Sequence, residues 1–158
     1  MLCGFSSGAH LSLMYAYKNL NNSPVKPVAV ASFSAPTDLT DKNYNKMFFA
    51  EDINFMISNI AGVEFKKLYS EKTIPALLDT SPVNFVSNLS VPTIICNGLY
   101  DNVVPYSNAQ KLNDKLTKAG VKHDFITFSN SSHGLENDND CWKKANETML
   151  IYAKQFLD

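Results

Sequence analysis

Met1-Leu2-Cys3-Gly4-Phe5-Ser6-Ser7-Gly8-Ala9-His10-Leu11 is the stretch on which the reading of this chain turns. Three apolar residues run into a Gly-x-Ser-x-Gly pentapeptide, and a helical pattern starts directly behind it. Met1-Leu2-Cys3 reads as the end of a strand. The spacing then predicts a helix over about 7–20, with Leu11, Met14 and Tyr15 as its apolar residues and Gly8 and Ala9 as a small-residue side. Asn21-Asn22-Ser23-Pro24 ends it. The pentapeptide alone is a weak pattern, but its strand–turn–helix setting is specific. A turn this tight requires Gly4 and Gly8 to be small. It holds the Ser6 hydroxyl exposed at its tip, above a helix N-terminus whose field favours developing negative charge.

Outward from this junction, apolar runs alternate with amphipathic segments, which argues for a parallel sheet covered by helices. Strands are predicted at 28–33, 93–96 and 123–128, each short and bounded by Pro, Gly, Asn or Ser. A helix over 108–119 places Ala109, Leu112, Leu116 and Ala119 on one face, with Gly120 as its C-cap. The last helix, over 141–157, carries Trp142, Ala145, Met149, Tyr152, Ala153 and Phe156 on one face. Residues 40–86 are far too long for an ordinary connection. They read as two or three helices around Met47-Phe48-Phe49, Phe55-Met56-Ile57 and Phe65-Lys66-Lys67-Leu68. These apolar groups are expected to be core, and as a set to line a pocket over the sheet.

The chain's 158 residues and 45% hydrophobic content fit one globular domain rather than a disordered segment. A net charge of −1, with no basic cluster, argues against nucleic acid or a membrane surface as partner. Lys66-Lys67 and Lys143-Lys144 read as solvated helix faces. No apolar stretch is long enough to span a bilayer. The N-terminus shows no signal-peptide pattern, so the expected location is cytoplasmic. Cys3, Cys96 and Cys141 form neither a disulfide framework nor a zinc motif, and Cys3 and Cys96 are expected to be buried thiols.

A serine hydroxyl needs a base to take its proton, and a histidine base needs a carboxylate to orient it. The chain has 3 histidines. His10 lies in the first helix and His123 opens a strand, so both read as structural. His133 stands in the polar loop Ser129-Asn130-Ser131-Ser132-His133-Gly134 after the last strand, where open α/β sheets carry their sites. It is the candidate base. Asp101, in the loop after the 93–96 strand, is the candidate acid, although an aspartate there often forms an Asx-turn. Asp38, after the preceding strand, is its rival. The order Ser, Asp, His along the chain favours Asp101. Asp124, inside a strand, and Asp138 and Asp140, beyond the histidine loop, are discounted.

The blocks Gly4-Phe5-Ser6-Ser7-Gly8-Ala9-His10-Leu11, Ser34-Ala35-Pro36-Thr37-Asp38-Leu39, Ser81-Pro82-Val83, Pro92 through Pro105, and Ser132-His133-Gly134 follow one another in a recognisable order. In this the chain resembles the esterase/lipase branch of the α/β-hydrolase superfamily. It is similar to acetyl-esterase-like carboxylesterases and to the catalytic domain of prolyl-oligopeptidase-type peptidases. The resemblance implies Ser6 as nucleophile, Asp101 as acid, His133 as base and the Ser7 backbone N–H as oxyanion donor. It implies hydrolysis of a small-molecule carboxylic ester through an acyl-enzyme, without metal or organic cofactor. A peptidase, or a remnant impaired in catalysis, is the alternative.

Such proteins place several strands, and a loop carrying His-Gly-Gly, ahead of the nucleophile. The expectation is therefore a single partial domain over 1–158, the C-terminal part of a hydrolase fold. It would have a parallel sheet of about four strands and a helical insertion over about 40–86. The first strand would then be an exposed edge. An alternative is a short protein that completes its sheet as a homo-oligomer through that edge.

Overall fold

The computed structural model describes residues 1–19, 22–47, 50–62, 64 and 69–156. Strands β1 (Leu2–Phe5), β2 (Val30–Phe33), β3 (Thr93–Gly98) and β4 (His123–Phe128) form one sheet in the order β1-β2-β3-β4. Every neighbouring pair is parallel. Parallel neighbours need long crossovers. Helix α1 (Ser7–Tyr17) lies between β1 and β2, and α4 (Tyr106–Lys118) between β3 and β4. The β2–β3 crossover carries a 3-10 turn (Lys42–Lys46), α2 (Ala50–Ala61), α3 (Ile74–Asp79) and a second 3-10 turn (Pro82–Phe85). Helix α5 (Asn139–Phe156) closes the order of elements.

Alternation along the strands sorts the core onto two faces. Val30 and Ile95 pack with Ala9, Leu13 and Ala16 of α1 and Leu112 and Leu116 of α4. Ala31, Phe33, Ile94, Cys96, Ile126 and Phe128 point the other way, against Ala145 and Tyr152 of α5. Trp142 stacks on Phe33 at 5.2 Å and meets Phe128 edge-on at 5.4 Å. A third cluster, Leu39, Tyr44, Ile53, Ile57 and Leu77, holds the crossover together. Each fully buried Leu or Ile contributes roughly 1.5–3 kcal/mol relative to exposure.

Several details depart from the sequence reading. β2 starts at Val30 rather than 28, and β3 runs on through Asn97 and Gly98. The extension forms because Asn97 and Gly98 pair with Thr127 and Phe128 of β4, past the last β2 partner. Helix α4 begins at Tyr106, two residues early, directly after Pro105. Helix α1 buries Ala9, His10, Leu13, Ala16 and Tyr17, while Leu11 is 67% exposed. The predicted apolar set of Leu11, Met14 and Tyr15 is thus corrected: Met14 and Tyr15 are only half-buried, because apolar residues occur nearly all round the helix and the sheet selects another face. Small Ala9 and Ala16 seat it against the sheet, and Tyr17 reaches β3 through a 2.6 Å hydrogen bond with Thr93.

Cys96 is buried as expected, but Cys3 is exposed because, among the described residues, β1 has a strand neighbour on one side only. In the crossover, Ile57 is fully buried while Phe55 is 75% exposed, so its triplet is only partly core. Leu20, Asn21, Phe48, Phe49, Phe65, Lys66, Lys67, Leu68 and Leu157 lie outside the described residues. Among the described residues no helix is long and apolar enough to cross a membrane.

Candidate active site

Ser6 occupies the turn between β1 and α1 with φ 53° and ψ −120°, a conformation that costs a non-glycine residue roughly 1–3 kcal/mol. Its N–H donates to the Phe33 carbonyl at 2.8 Å, and its own carbonyl accepts from the His10 N–H at 3.0 Å. These two bonds fix the tip of the turn to β2 and to the first turn of α1. Among the described residues no side chain caps α1. Among the described residues the Ser7 N–H has no backbone partner. It is one of the orphan donors that open every helix.

The two glycines of the pentapeptide are not equivalent. A Cβ on Gly4 would lie 2.3 Å from the Gly8 carbonyl oxygen and 2.5 Å from the Ala9 nitrogen. A Cβ on Gly8 would meet nothing within 4 Å. The expectation that both must be small is thus corrected. Gly4 faces the helix backbone, whereas the missing side chain of Gly8 faces open space.

Asp101 sits in the turn after β3 and is 4% exposed. Its Oδ1 accepts from the N–H groups of Val103 at 2.9 Å and Val104 at 2.8 Å. The Asx-turn is therefore present, and the same carboxylate also lies against His133. The His133 Nδ1 is 2.9 Å from Oδ2 and 3.0 Å from Oδ1. The His133 Nε2 is 3.1 Å from the Ser6 Oγ. An ionised carboxylate only accepts, so Nδ1 carries the ring proton and Nε2 faces the serine hydroxyl as acceptor.

Ser6, His133 and Asp101 are brought together; Asp38 is not. The Asp38 carboxylate accepts from the Thr40 N–H at 3.0 Å and the Thr40 hydroxyl at 2.6 Å, and pairs with Lys111 of α4. His10 and His123 are also elsewhere. His10 is bonded to the Pro36 carbonyl at 2.8 Å, and His123 to the Val121 carbonyl at 2.7 Å and Thr117 at 3.2 Å. Asp124 accepts from the Tyr152 hydroxyl at 2.8 Å. Among the described residues no three His, Cys, Asp or Glu side chains converge as metal ligands.

The histidine loop is held by residues that sequence reasoning passed over. Asp138 accepts from the Ser131 hydroxyl at 2.5 Å, the Asn130 amide at 2.8 Å and the Asn130 N–H at 3.0 Å. The Ser131 hydroxyl, and then the Asn130 donors, hold its carboxyl below the usual carboxylate range against the cost of burial. Discounted as an acid, it braces the base's loop instead. Ser34, with φ 50°, donates its hydroxyl to the His133 carbonyl at 3.0 Å. Gly98 lets the loop close, since a Cβ there would lie 2.1 Å from the Ser132 carbonyl oxygen. The Phe5 ring rests 5.2 Å from the imidazole. The signal for Gly98 was available, as a glycine at a strand end marks close backbone approach.

This order of strands, turn geometry and convergent side chains is that of an α/β-hydrolase fold. Residues 1–116 match the BD-FAE family. The chain belongs to that family. Residues 75–158 also match the dienelactone hydrolase family.

Among solved structures, the fold superposes on a truncated carbohydrate esterase from gut microbiota with a TM-score of 0.67 and 21% identity. That match covers 97% of this chain and 58% of the esterase chain. A puromycin-hydrolyzing peptidase from Mycobacterium tuberculosis matches with a TM-score of 0.74 and 18% identity, over 98% of this chain and 21% of its own. An uncharacterized peptidase, YuxL, from Bacillus subtilis (strain 168) is 34% identical over 59 residues, which is 37% of this chain and 9% of that protein. The BD-FAE chain described here thus spans just over half of the matched esterase and a smaller share of either peptidase.

Proposed function

We propose that this chain carries the reacting groups of a serine hydrolase that cleaves small carboxylic esters. The hydrogen-bonded series Ser6 Oγ, His133 Nε2, His133 Nδ1 and Asp101 carries the reading, with links of 3.1 Å and 2.9 Å. In the first step the Ser6 oxygen bonds to the ester carbonyl carbon while its proton passes to Nε2. Asp101 stays ionised and stabilises the imidazolium. The bond to the alkoxy oxygen then breaks, and the alcohol leaves with the proton from His133. Water attacks the acyl-enzyme, gives its proton to Nε2, and the acid departs as Ser6 recovers its hydrogen. The Ser7 N–H, at the head of α1, donates to the oxyanion.

A second reading, a serine peptidase, is favoured by the 34% identity to the Bacillus peptidase segment. The same groups would serve it, so substrates decide. The test is turnover of p-nitrophenyl acetate and of an alanyl p-nitroanilide by this chain and by Ser6→Ala. Ester turnover that vanishes in Ser6→Ala, with the anilide untouched, is the expected result. Anilide turnover of equal efficiency would favour the peptidase. Ester turnover equal in the variant would mean that Ser6 takes no part.

A further inference from the structure

Helix α1 carries Ser7, His10 and Leu11 on one face, at the spacing of a single turn. Opposite them stand Asn59 and Ile60 of α2, and the five residues line a cavity of about 200 Å³. Sites for whole ligands run to roughly 300–1,000 Å³, so this space suits one small part of a substrate. It is lined in part by Ser7, the residue next to Ser6 in the chain.

His10 is 3% exposed. Its Nδ1 lies 2.8 Å from the Pro36 carbonyl oxygen. A carbonyl only accepts, so Nδ1 carries the proton and Nε2 of the neutral ring is a bare acceptor. Burial holds the imidazole below its ordinary pKa, against the smaller opposing effect of the Pro36 bond. Nε2 has no hydrogen-bond partner among the described residues, yet it is not a sealed atom. Among the described residues no wall side chain bonds to Nε2. Leu11 and Ile60 are apolar, and the Asn59 amide donates to the Phe55 carbonyl at 2.7 Å. An acceptor that is open to a cavity takes its hydrogen bond from whatever fills that space, and a ligand hydroxyl held there replaces water at Nε2.

We infer that His10 Nε2 accepts a hydrogen bond from a substrate hydroxyl, and that the chain selects esters bearing a hydroxyl close to the scissile carbonyl. The inference rests on the ester-hydrolase reading and narrows its substrate class. The test compares kcat/KM within two matched pairs, 2-hydroxyethyl acetate against propyl acetate and methyl 3-hydroxypropanoate against methyl butanoate. Each ratio is measured for the chain and for His10→Asn, whose amide keeps a donor for Pro36 but places no acceptor at the Nε2 position. The expected result is that one of the two hydroxyl preferences falls about tenfold in His10→Asn, the effect of a single hydrogen bond. Both ratios unchanged would overturn the inference.

A second measurement needs neither turnover nor that variant. The ¹⁵N resonance of His10 Nε2 in Ser6→Ala should move upfield with 3-hydroxypropanamide or N-(2-hydroxyethyl)acetamide, and stay in place with butanamide. No movement with either hydroxyl-bearing amide overturns the inference. Turnover that survives Ser6→Ala would sink the ester-hydrolase reading itself. Ser6-dependent turnover with unshifted ratios sinks only the role of His10.

Discussion

Asp101 and Ser6 both follow a strand of the same sheet, but the two strands are held very differently. β3 lies between β2 and β4 and is buried along its whole length. Among the described residues β1 pairs with β2 alone, and its Cys3 and Phe5 are exposed. The Asp101 carboxylate is fixed by two backbone N–H groups, and His133 rides on a loop braced by Asp138, Ser34 and the close approach at Gly98. Ser6 is fixed by two backbone bonds and its own strained turn. Asp101 and His133 are thus oriented independently of Ser6, whereas Ser6 depends on the junction of β1 with α1. Under the proposed mechanism the site has a rigid half that sets proton transfer and a lightly braced half that presents the nucleophile.

The largest effect is expected from cutting the link between these halves. Ser6→Ala and His133→Ala should each lower kcat/KM for p-nitrophenyl acetate by on the order of 10³–10⁴ or to background, and the double variant should be no slower than either. Additive losses would mean that the two halves act separately.

Next comes the rigid half itself. Gly98→Ala forces the Ser132 backbone away and displaces His133. It should cost about 1–3 kcal/mol in denaturant stability, with a loss of roughly 10² in kcat/KM for a shift near 1 Å. Stability and rate that both match the parent chain would show that the loop is not seated on Gly98.

Acid should unsettle the lightly braced half through His10. Its folded pKa lies below its ordinary value, so the unfolded chain binds the proton more readily. The stabilisation is therefore complete above about pH 6.5, the unfolded value, and is lost as pH falls through the folded value. Denaturant melts between pH 8 and 5 should show falling stability on the acid side, with a shallower fall in His10→Asn. Equal slopes would remove His10 from the account.

The smallest effect is at Gly8. With no atom near its missing Cβ, Gly8→Ala should stabilise α1 by up to about 1 kcal/mol, read as a rise in Tm. Destabilisation as severe as that of Gly4→Ala would mean that both glycines are pressed against backbone.

The sequence carried the sheet and the strand-end residues well because their signals are local. Val30, Ile94 and Ile126 sit in short β-branched runs, and Gly4-Phe5-Ser6-Ser7-Gly8 joins a strand to a helix within five residues. Asp101 and His133 could be placed because parallel strands deliver their following loops to one edge. What stayed hidden depends on tertiary contact. The buried face of α1 combines small Ala9 and Ala16 with Leu13 and Tyr17, so no continuous stripe of large residues marks it in the sequence. Asp38 and Asp101 look alike in sequence, and only the Lys111 partner of the one and the His133 partner of the other separate them. Asp138 lies after the histidine, so its role in bracing the loop from behind has no marker in the chain order.

The most direct test of the central claim is the site of reaction with a fluorophosphonate. After labelling and trypsin digestion, mass spectrometry should find the adduct on Ser6 in the peptide ending at Lys18, and His133→Ala should abolish it. An adduct on any other residue, or labelling of Ser6 undiminished in His133→Ala, would contradict the account.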